Sequence, residues 1–260
     1  MKKSFGILIC ILPYFAMLLI RMTGAAVFGR IFETGLGMDY NTYVVYVLAL
    51  IAVIYIIVFG VWYYFGFARK NQGEGQDSFW TIRTMLLLLL LGAAVQIAVS
   101  YILFFLLSLS PSLSDEYMSM LSPLLSLSPA AVLYAGILSP VGEECIFRGV
   151  ILGYAKENTR FYLANFLQAA LFGVFHGNLV QGIYAFLLGL LLGYLVKLSG
   201  SVFGGIIFHS ALNFAGLYLE RLLPEELPVY LKVFFMLAAA AVCALILFVL
   251  SRHGKNKNRA

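Results

Sequence analysis

Charged residues are scarce in this sequence. Only 11% of the 260 residues are charged, whereas a soluble globular domain carries about 25%. Hydrophobic residues make up 62% of the chain, and the mean hydropathy is +0.95. Placing one apolar face of each helix or strand against a core cannot account for so little charge. The composition therefore excludes a soluble globular protein and predicts an integral membrane protein.

Cysteines and repeats are also lacking. The three cysteines, Cys10, Cys145 and Cys243, all lie in apolar runs. Because their number is odd and their surroundings are apolar, no disulfide framework is expected. The sequence contains no low-complexity tract and no internal repeat at a fixed period. The missing repeat disfavours a transporter that would use buried acids and histidines as a proton relay.

Long apolar runs dominate instead. Because a helix needs about 20 apolar residues to cross a bilayer, we expect an all-α fold, a polytopic helical membrane protein with about eight transmembrane helices. The tripeptide "HGN" alone separates the fifth and sixth spans, which predicts a tight helical hairpin. The predicted spans are 4–20, 41–66, 82–108, 129–153, 161–177, 179–197, 201–219 and 229–250.

The most polar segment, 67–81, suggests a division into three parts. Residues 1–81 would form an N-terminal pair of transmembrane helices with a cytoplasmic loop. Residues 82–220 would form the functional core, and residues 221–260 a C-terminal transmembrane helix with a basic tail.

Basic residues predict the orientation. With the N-terminus in the cytoplasm, twelve of the 17 Lys and Arg residues fall on the cytoplasmic side. Segment 109–128, which has none, is predicted to be a loop on the outer side. The positive-inside rule then predicts that both termini are cytoplasmic, and we expect the protein in the plasma membrane. The pI near 9.0 is due to the basic residues of these cytoplasmic loops, so it does not indicate nucleic-acid binding. The lipid bilayer is an expected partner. The sequence gives no signal for the oligomeric state.

A small set of polar side chains lies inside the predicted spans. Charges at membrane depth cost about 2.5–3.5 kcal/mol on insertion scales and usually mark function. The set therefore predicts a buried functional site, and the alternative is a purely structural network between helices. Its main members are Glu143, Glu144, Arg148, His176, His209 and Asn213.

Helix geometry separates the two adjacent acids. Glu144 precedes Arg148 by four residues, the favourable order for an intrahelical ion pair. Glu143 is rotated by about 100° from Glu144 on an α-helix, so its carboxylate is expected to point towards another helix.

The remaining polar residues lie on two other predicted helices. His209 and Asn213 are four residues apart and share one helix face. Phe172 lies one turn before His176 and is expected to pack against it. At about 1.5 Å per residue, the acid, the imidazoles and the amide fall in a common layer of the membrane, as a single buried site requires.

These residues form three ordered motifs, "EECIFR" (143–148), "FGVFH" (172–176) and "HSALN" (209–213). In them the sequence resembles the CAAX protease and bacteriocin-processing (CPBP, or Abi) family of intramembrane endopeptidases. The likeness covers about residues 82–220. It implies that Glu143 and His176 activate water and that His209 and Asn213 stabilise the oxyanion. Supporting roles fall to Glu144, Arg148 and Phe172.

Members of that family are often called metalloproteases, which leaves the chemistry open between a glutamate-dependent and a metallo endopeptidase. Glu143, His176 and His209 would make a zinc set with an open water position. No HExxH pair is present, and the glutamate mechanism uses the same residues without metal. We therefore favour no cofactor, with zinc as the alternative.

The expected function is hydrolysis of peptide bonds in membrane-associated or lipidated, CAAX-like peptide or protein substrates. The alternative is a non-catalytic membrane scaffold or bacteriocin-immunity protein that keeps the polar network without turnover.

Overall fold

The structure is a computed structural model that describes residues 9–69, 79–222 and 227–256. Within these residues the chain forms nine helices and no β-strand. The helices are α1 (Leu12–Gly35), α2 (Tyr40–Ala68), α3 (Ile82–Ser108), α4 (Pro111–Leu125), α5 (Pro129–Asn158), α6 (Phe161–Phe175), α7 (Leu179–Ser199), α8 (Val202–Leu222) and α9 (Val229–Asn256).

Six of the described helices, α1, α2, α3, α5, α7 and α9, are long and apolar enough to cross a membrane. Helix α6 and the apolar part of α8 are shorter. Large apolar side chains remain exposed along the long helices, as lipid-facing surfaces require. The all-α membrane fold is thus confirmed, whereas the predicted count of eight spans is not.

Local signals in the sequence set the helix starts. Asp39 caps α2 by accepting a hydrogen bond from the Thr42 backbone N–H at 3.1 Å, and the hydrogen bonds from Thr42 hold the Asp39 pKa below its usual value. Thr81 and Thr84 form a reciprocal capping box at α3. Ser128 caps α5 by accepting a hydrogen bond from the Ala131 backbone N–H at 3.2 Å, directly before a proline at the first helical position.

The bounds of the first predicted span, 4–20, are wrong. Helix α1 continues through Arg21 to Gly35, and residues 1–8 lie outside the described part. Arg21 ends the apolar run in the sequence, but its guanidinium donates a hydrogen bond of 3.0 Å to the Phe175 carbonyl. Because this contact is inside the protein, the helix does not have to end at the charge.

The segment 109–128, predicted as a loop, contains helix α4. Its Ser- and Pro-rich composition favours a loop, but Pro111 stands at the first helical position, where proline is well tolerated. Apolar side chains then recur every three or four residues, as in an amphipathic helix. Two further bounds are also wrong, because α5 ends at Asn158 rather than 153 and α9 at Asn256 rather than 250. Most of the predicted cytoplasmic loop 67–81 lies outside the described residues.

The chain divides into two compact units, residues 1–74 with 120–194 and residues 75–119 with 195–260. In the first unit, glycines of α5 allow α2 to approach closely. A Cβ at Gly149 would lie 2.9 Å from the Tyr63 ring, and one at Gly142 would lie 3.2 Å from the Tyr55 Cβ. The three-part division expected from the sequence stays a prediction.

The α6–α7 hairpin is joined by side-chain amides in the same unit. The Gln168 amide donates to the Gly189 carbonyl at 2.8 Å, and the Asn165 amide donates to the Leu190 carbonyl at 2.9 Å. Helix α6 ends at Phe175 and α7 begins at Leu179, so the predicted tight hairpin is confirmed. Small residues and interhelical amide bonds of this kind hold membrane helices together.

In the second unit, α3 packs against α8 and α9. A Cβ at Gly92 would lie 2.6 Å from the Phe208 carbonyl oxygen, so the α3 and α8 backbones nearly touch there. The rings of Tyr101 and Phe235 stack with centroids 6.4 Å apart between α3 and α9.

Candidate active site

The first motif lies on α5, which is not a regular α-helix. Residues Tyr134–Leu138 and Glu144–Ile151 have π-helical hydrogen bonding. The first π segment ends two residues before Pro140, which has no N–H to donate and so disturbs the α-helical ladder before it. All residues from Glu144 to Ile151 are buried. π-Helical turns are rare and occur frequently at functional sites.

The predicted ion pair between Glu144 and Arg148 is present. Arg148 Nη1 lies 2.9 Å from Glu144 Oε1, and neither side chain is exposed. The Arg148 guanidinium also lies over the Phe172 ring, 4.3 Å from its centroid. Among the described residues, Nε and Nη2 of Arg148 have no hydrogen-bond partner. The buried cation is therefore stabilised by one carboxylate and by aromatic ring faces.

Glu143 is held by a different group. Its Oε1 accepts a hydrogen bond of 2.5 Å from Ser139 Oγ, one turn earlier on α5, and the residue is 8% exposed. Tyr134, in the first π segment, also interacts with the Ser139 hydroxyl. The Ser139 hydroxyl thus orients the carboxylate.

His176 lies at the C-terminal end of α6, where Gly177 has a φ of 71° and ends the helix. Its Nδ1 is 2.8 Å from the Phe172 carbonyl oxygen. Since a carbonyl oxygen only accepts, Nδ1 carries the proton. In the neutral ring, Nε2 then holds the lone pair that can accept a proton.

Phe172 connects these groups. Its ring meets the His176 ring edge to face, with centroids 4.7 Å apart and an angle of 87°, and the same ring lies against Arg148. The predicted contact with His176 is therefore present, and its backbone carbonyl adds the bond that orients the imidazole. Glu144, Arg148, Phe172 and His176 thus form one continuous series of contacts in the first unit.

His209 and Asn213 belong to the second unit. They lie four residues apart on α8, with His209 7% exposed and Asn213 half-buried. His209 directly follows Phe208, whose carbonyl lies where the α8 backbone closely approaches Gly92 of α3. The predicted partnership of His209 and Asn213 with Glu143 and His176 stays a prediction.

A metal centre receives no support from the side-chain arrangement. Across the described part of the chain, no group of three or more His, Cys, Asp or Glu side chains could hold a metal ion. Glu143 and His176 are of the donor types that zinc prefers, whereas His209 belongs to the other unit. The predicted zinc set therefore stays a prediction.

All three motifs lie within residues 125–215, and this segment matches the family described as "Rce1-like: Type II CAAX prenyl endopeptidase Rce1-like". This segment is about a third of the chain, and over it the chain is similar to the CPBP family. The resemblance found in the sequence is confirmed, although the matched segment is shorter than the expected 82–220. The match supports a membrane protease of the CAAX type in general.

A relative in Bacillus subtilis (strain 168), named "Putative membrane peptidase YdiL", is 27% identical to this chain over 85 residues. The aligned part is 33% of this chain and 35% of the relative, so the chain spans about a third of the relative's length. No solved structure matches the chain.

Three residues of the site region were missed in the sequence. Ser139 precedes Glu143 by four residues, so helical spacing was a usable signal for their contact. Tyr134 precedes Ser139 by five residues, and residues five apart share one helix face only where the helix is π-helical. Arg21 contacts a residue 154 positions away, and the sequence carries no signal for that contact.

Proposed function

We propose that this protein is an intramembrane endopeptidase that hydrolyses peptide bonds of membrane-associated or lipidated, CAAX-like substrates. The observation that supports it most is that two adjacent buried acids bind different kinds of partner. Glu144 is bound to Arg148, whereas Glu143 accepts a hydrogen bond from the neutral Ser139 hydroxyl. Glu143 is therefore the acid that can exchange a proton during a reaction, and Glu144 is the acid that stabilises the buried arginine.

In the proposed reaction, the Glu143 carboxylate accepts a proton from a water molecule. The resulting hydroxide attacks the scissile carbonyl carbon, and the carbonyl π electrons move to oxygen. When the tetrahedral intermediate collapses, the C–N bond breaks and the proton is delivered to the leaving amine. His176, whose Nε2 lone pair can also accept a hydrogen bond from the water, orients the nucleophile.

The oxyanion of the intermediate requires hydrogen-bond donors. We assign this role to His209 and Asn213 on the basis of the "HSALN" motif. An imidazole N–H and an amide N–H are suitable donors, and such donors contribute several kcal/mol where water is excluded. We propose a glutamate-dependent mechanism without metal because an amide adds little to a zinc shell, which prefers His, Cys or carboxylate ligands.

We further propose that the protein lies in the plasma membrane with both termini in the cytoplasm. This orientation puts α4, which has no Lys or Arg, on the outer side and follows the distribution of basic residues.

The test is hydrolysis by the purified protein in lipid nanodiscs. The substrate is a peptide with an S-prenylated cysteine followed by two aliphatic residues and a terminal residue. We expect release of a C-terminal fragment, identified by mass spectrometry, with one water added across the cleaved bond. A folded protein that binds such peptides but never cleaves them would contradict the proposal and favour the non-catalytic scaffold or immunity role.

A further inference from the structure

Arg21 is a charged residue inside a candidate membrane span. It lies ten residues into α1 (Leu12–Gly35) and well outside the segment 125–215 that carries the family match. Charges within membrane spans are rare, and they usually serve a ligand, an ion or a substrate. The reaction proposed above does not use Arg21.

The contacts of Arg21 engage only part of its hydrogen-bonding capacity. Nη1 donates to the Phe175 carbonyl oxygen at 3.0 Å, and the guanidinium carbon lies 4.9 Å from the Phe175 ring centroid. A guanidinium has five N–H donors. No acidic side chain among the described residues forms an ion pair with Arg21. The side chain is half-buried, so part of it remains accessible.

The location of Arg21 is next to the proposed catalytic groups. Phe175, which accepts its hydrogen bond, directly precedes His176. One turn before Arg21 on α1, the Met17 carbonyl accepts a hydrogen bond of 3.0 Å from the Tyr55 hydroxyl of α2. Tyr55 in turn packs against Gly142, which directly precedes Glu143 on α5. Arg21 therefore lies near the part of the first unit that holds both Glu143 and His176.

A purely structural role would need only part of the hydrogen-bonding capacity of Arg21. An arginine can stabilise the C-terminal end of a helix by donating to its last carbonyl groups, and Nη1 does so at Phe175. Arg148, the buried arginine of the same unit, has a carboxylate partner, whereas Arg21 has none among the described residues. The planar fork of a guanidinium matches a carboxylate with two parallel hydrogen bonds.

We propose that Arg21 binds a carboxylate of the peptide substrate beside the catalytic pair. This inference rests on the proposed function. The carboxylate could come from two sources, the free C-terminus of the substrate or an acidic side chain near the scissile bond.

The test measures equilibrium binding, so that it does not depend on turnover. The protein carries Glu143→Gln to prevent cleavage and is placed in nanodiscs of neutral phosphatidylcholine. Three S-prenylated peptides of the same length are compared: one with a free C-terminal carboxylate, one with a C-terminal amide, and one with the amide and an aspartate side chain. Each is measured with Arg21 intact and with Arg21→Gln, Arg21→Lys and the control Arg30→Gln, which changes an exposed arginine of the same helix.

We expect Arg21→Gln to weaken binding of one acidic peptide by about 10- to 100-fold, the range for hydrogen bonds to charged groups. The peptide affected identifies the source of the carboxylate. Binding of the neutral amide peptide should not change, and Arg30→Gln should have no effect. Arg21→Lys keeps the charge but loses the fork, so it should retain a smaller preference for the acid.

Two results would overturn the inference. If Arg21→Gln weakens all three peptides equally, or none of them, Arg21 has a structural role only. If no peptide binds even with Arg21 intact, the proposed function itself fails and the inference fails with it. If Arg21→Gln does not fold, Arg21→Lys is compared with the intact protein instead. This variant keeps the cation but loses the fork, so its preference for the acidic peptide over the neutral one should be smaller.

Discussion

Replacing Glu144 by Gln would leave the Arg148 guanidinium without its counter-charge where neither side chain is exposed. Glutamine keeps the size of the side chain and can still accept a hydrogen bond, so the change removes charge rather than volume. Breaking a buried ion pair at one partner costs about 3–5 kcal/mol, because an uncompensated charge remains in an apolar site. We expect Glu144→Gln to lower the stability by this amount. Replacing both partners together, as Glu144→Leu with Arg148→Met, should recover most of it.

The assay is thermal unfolding in detergent, followed by a fluorophore that reacts with thiols. Cys145 neighbours the pair and is only 7% exposed, so its labelling reports loss of the native packing. The matched control is Glu33→Gln, which removes an exposed acid from α1 and should leave the midpoint unchanged. A Glu144→Gln protein as stable as the wild type would refute the reasoning, as would a double variant no more stable than the single one.

Four further predictions concern the site, the packing, the metal and the orientation. Ser139→Ala removes a donor to the proposed base, and we expect kcat for the prenylated peptide to fall about tenfold; an unchanged kcat would argue against a positioning role. Gly193→Ala would place a methyl group against Asn165 and should destabilise the α6–α7 hairpin by about 1–3 kcal/mol, whereas Gly29→Ala, with open space around it, should not. Active protein should survive a strong chelator and contain well under one zinc per chain by elemental analysis; activity that is lost on chelation and restored by zinc would contradict the metal-free mechanism. A cysteine introduced at Ser112 on α4 should react with an impermeant reagent in intact cells, and reaction only after permeabilisation would reverse the orientation.

The parts of the site that depend on local geometry could be predicted from the sequence. The bond between Glu144 and Arg148 follows from their spacing of four residues, and it is present even though this segment is π-helical. The contact of Phe172 with His176 follows from the same spacing on α6. Interactions between residues one turn apart change little when the rest of the fold changes.

The parts that depend on distant residues could not be predicted. Arg21 and Phe175 are 154 residues apart, and an arginine at the end of an apolar run is ordinarily interpreted as the end of a membrane span. The π segments of α5 were also unexpected, because hydrophobic periodicity assumes a regular α-helix. The helical structure of α4 was obscured by its serines and prolines, which favour a loop when they are considered without the spacing of the leucines.

The identity of the base is tested most directly by single-turnover cleavage of a saturating prenylated peptide. The rate constant and the peptide Kd are compared for the wild type and for Glu143→Gln. A general base contributes about 10²- to 10⁴-fold to a rate, and glutamine cannot accept the proton from water. We therefore predict a rate constant at least about 100-fold lower for Glu143→Gln, with an unchanged Kd and thermal midpoint. A Glu143→Gln protein that cleaves within a few-fold of the wild-type rate would contradict the assignment of Glu143 as the base.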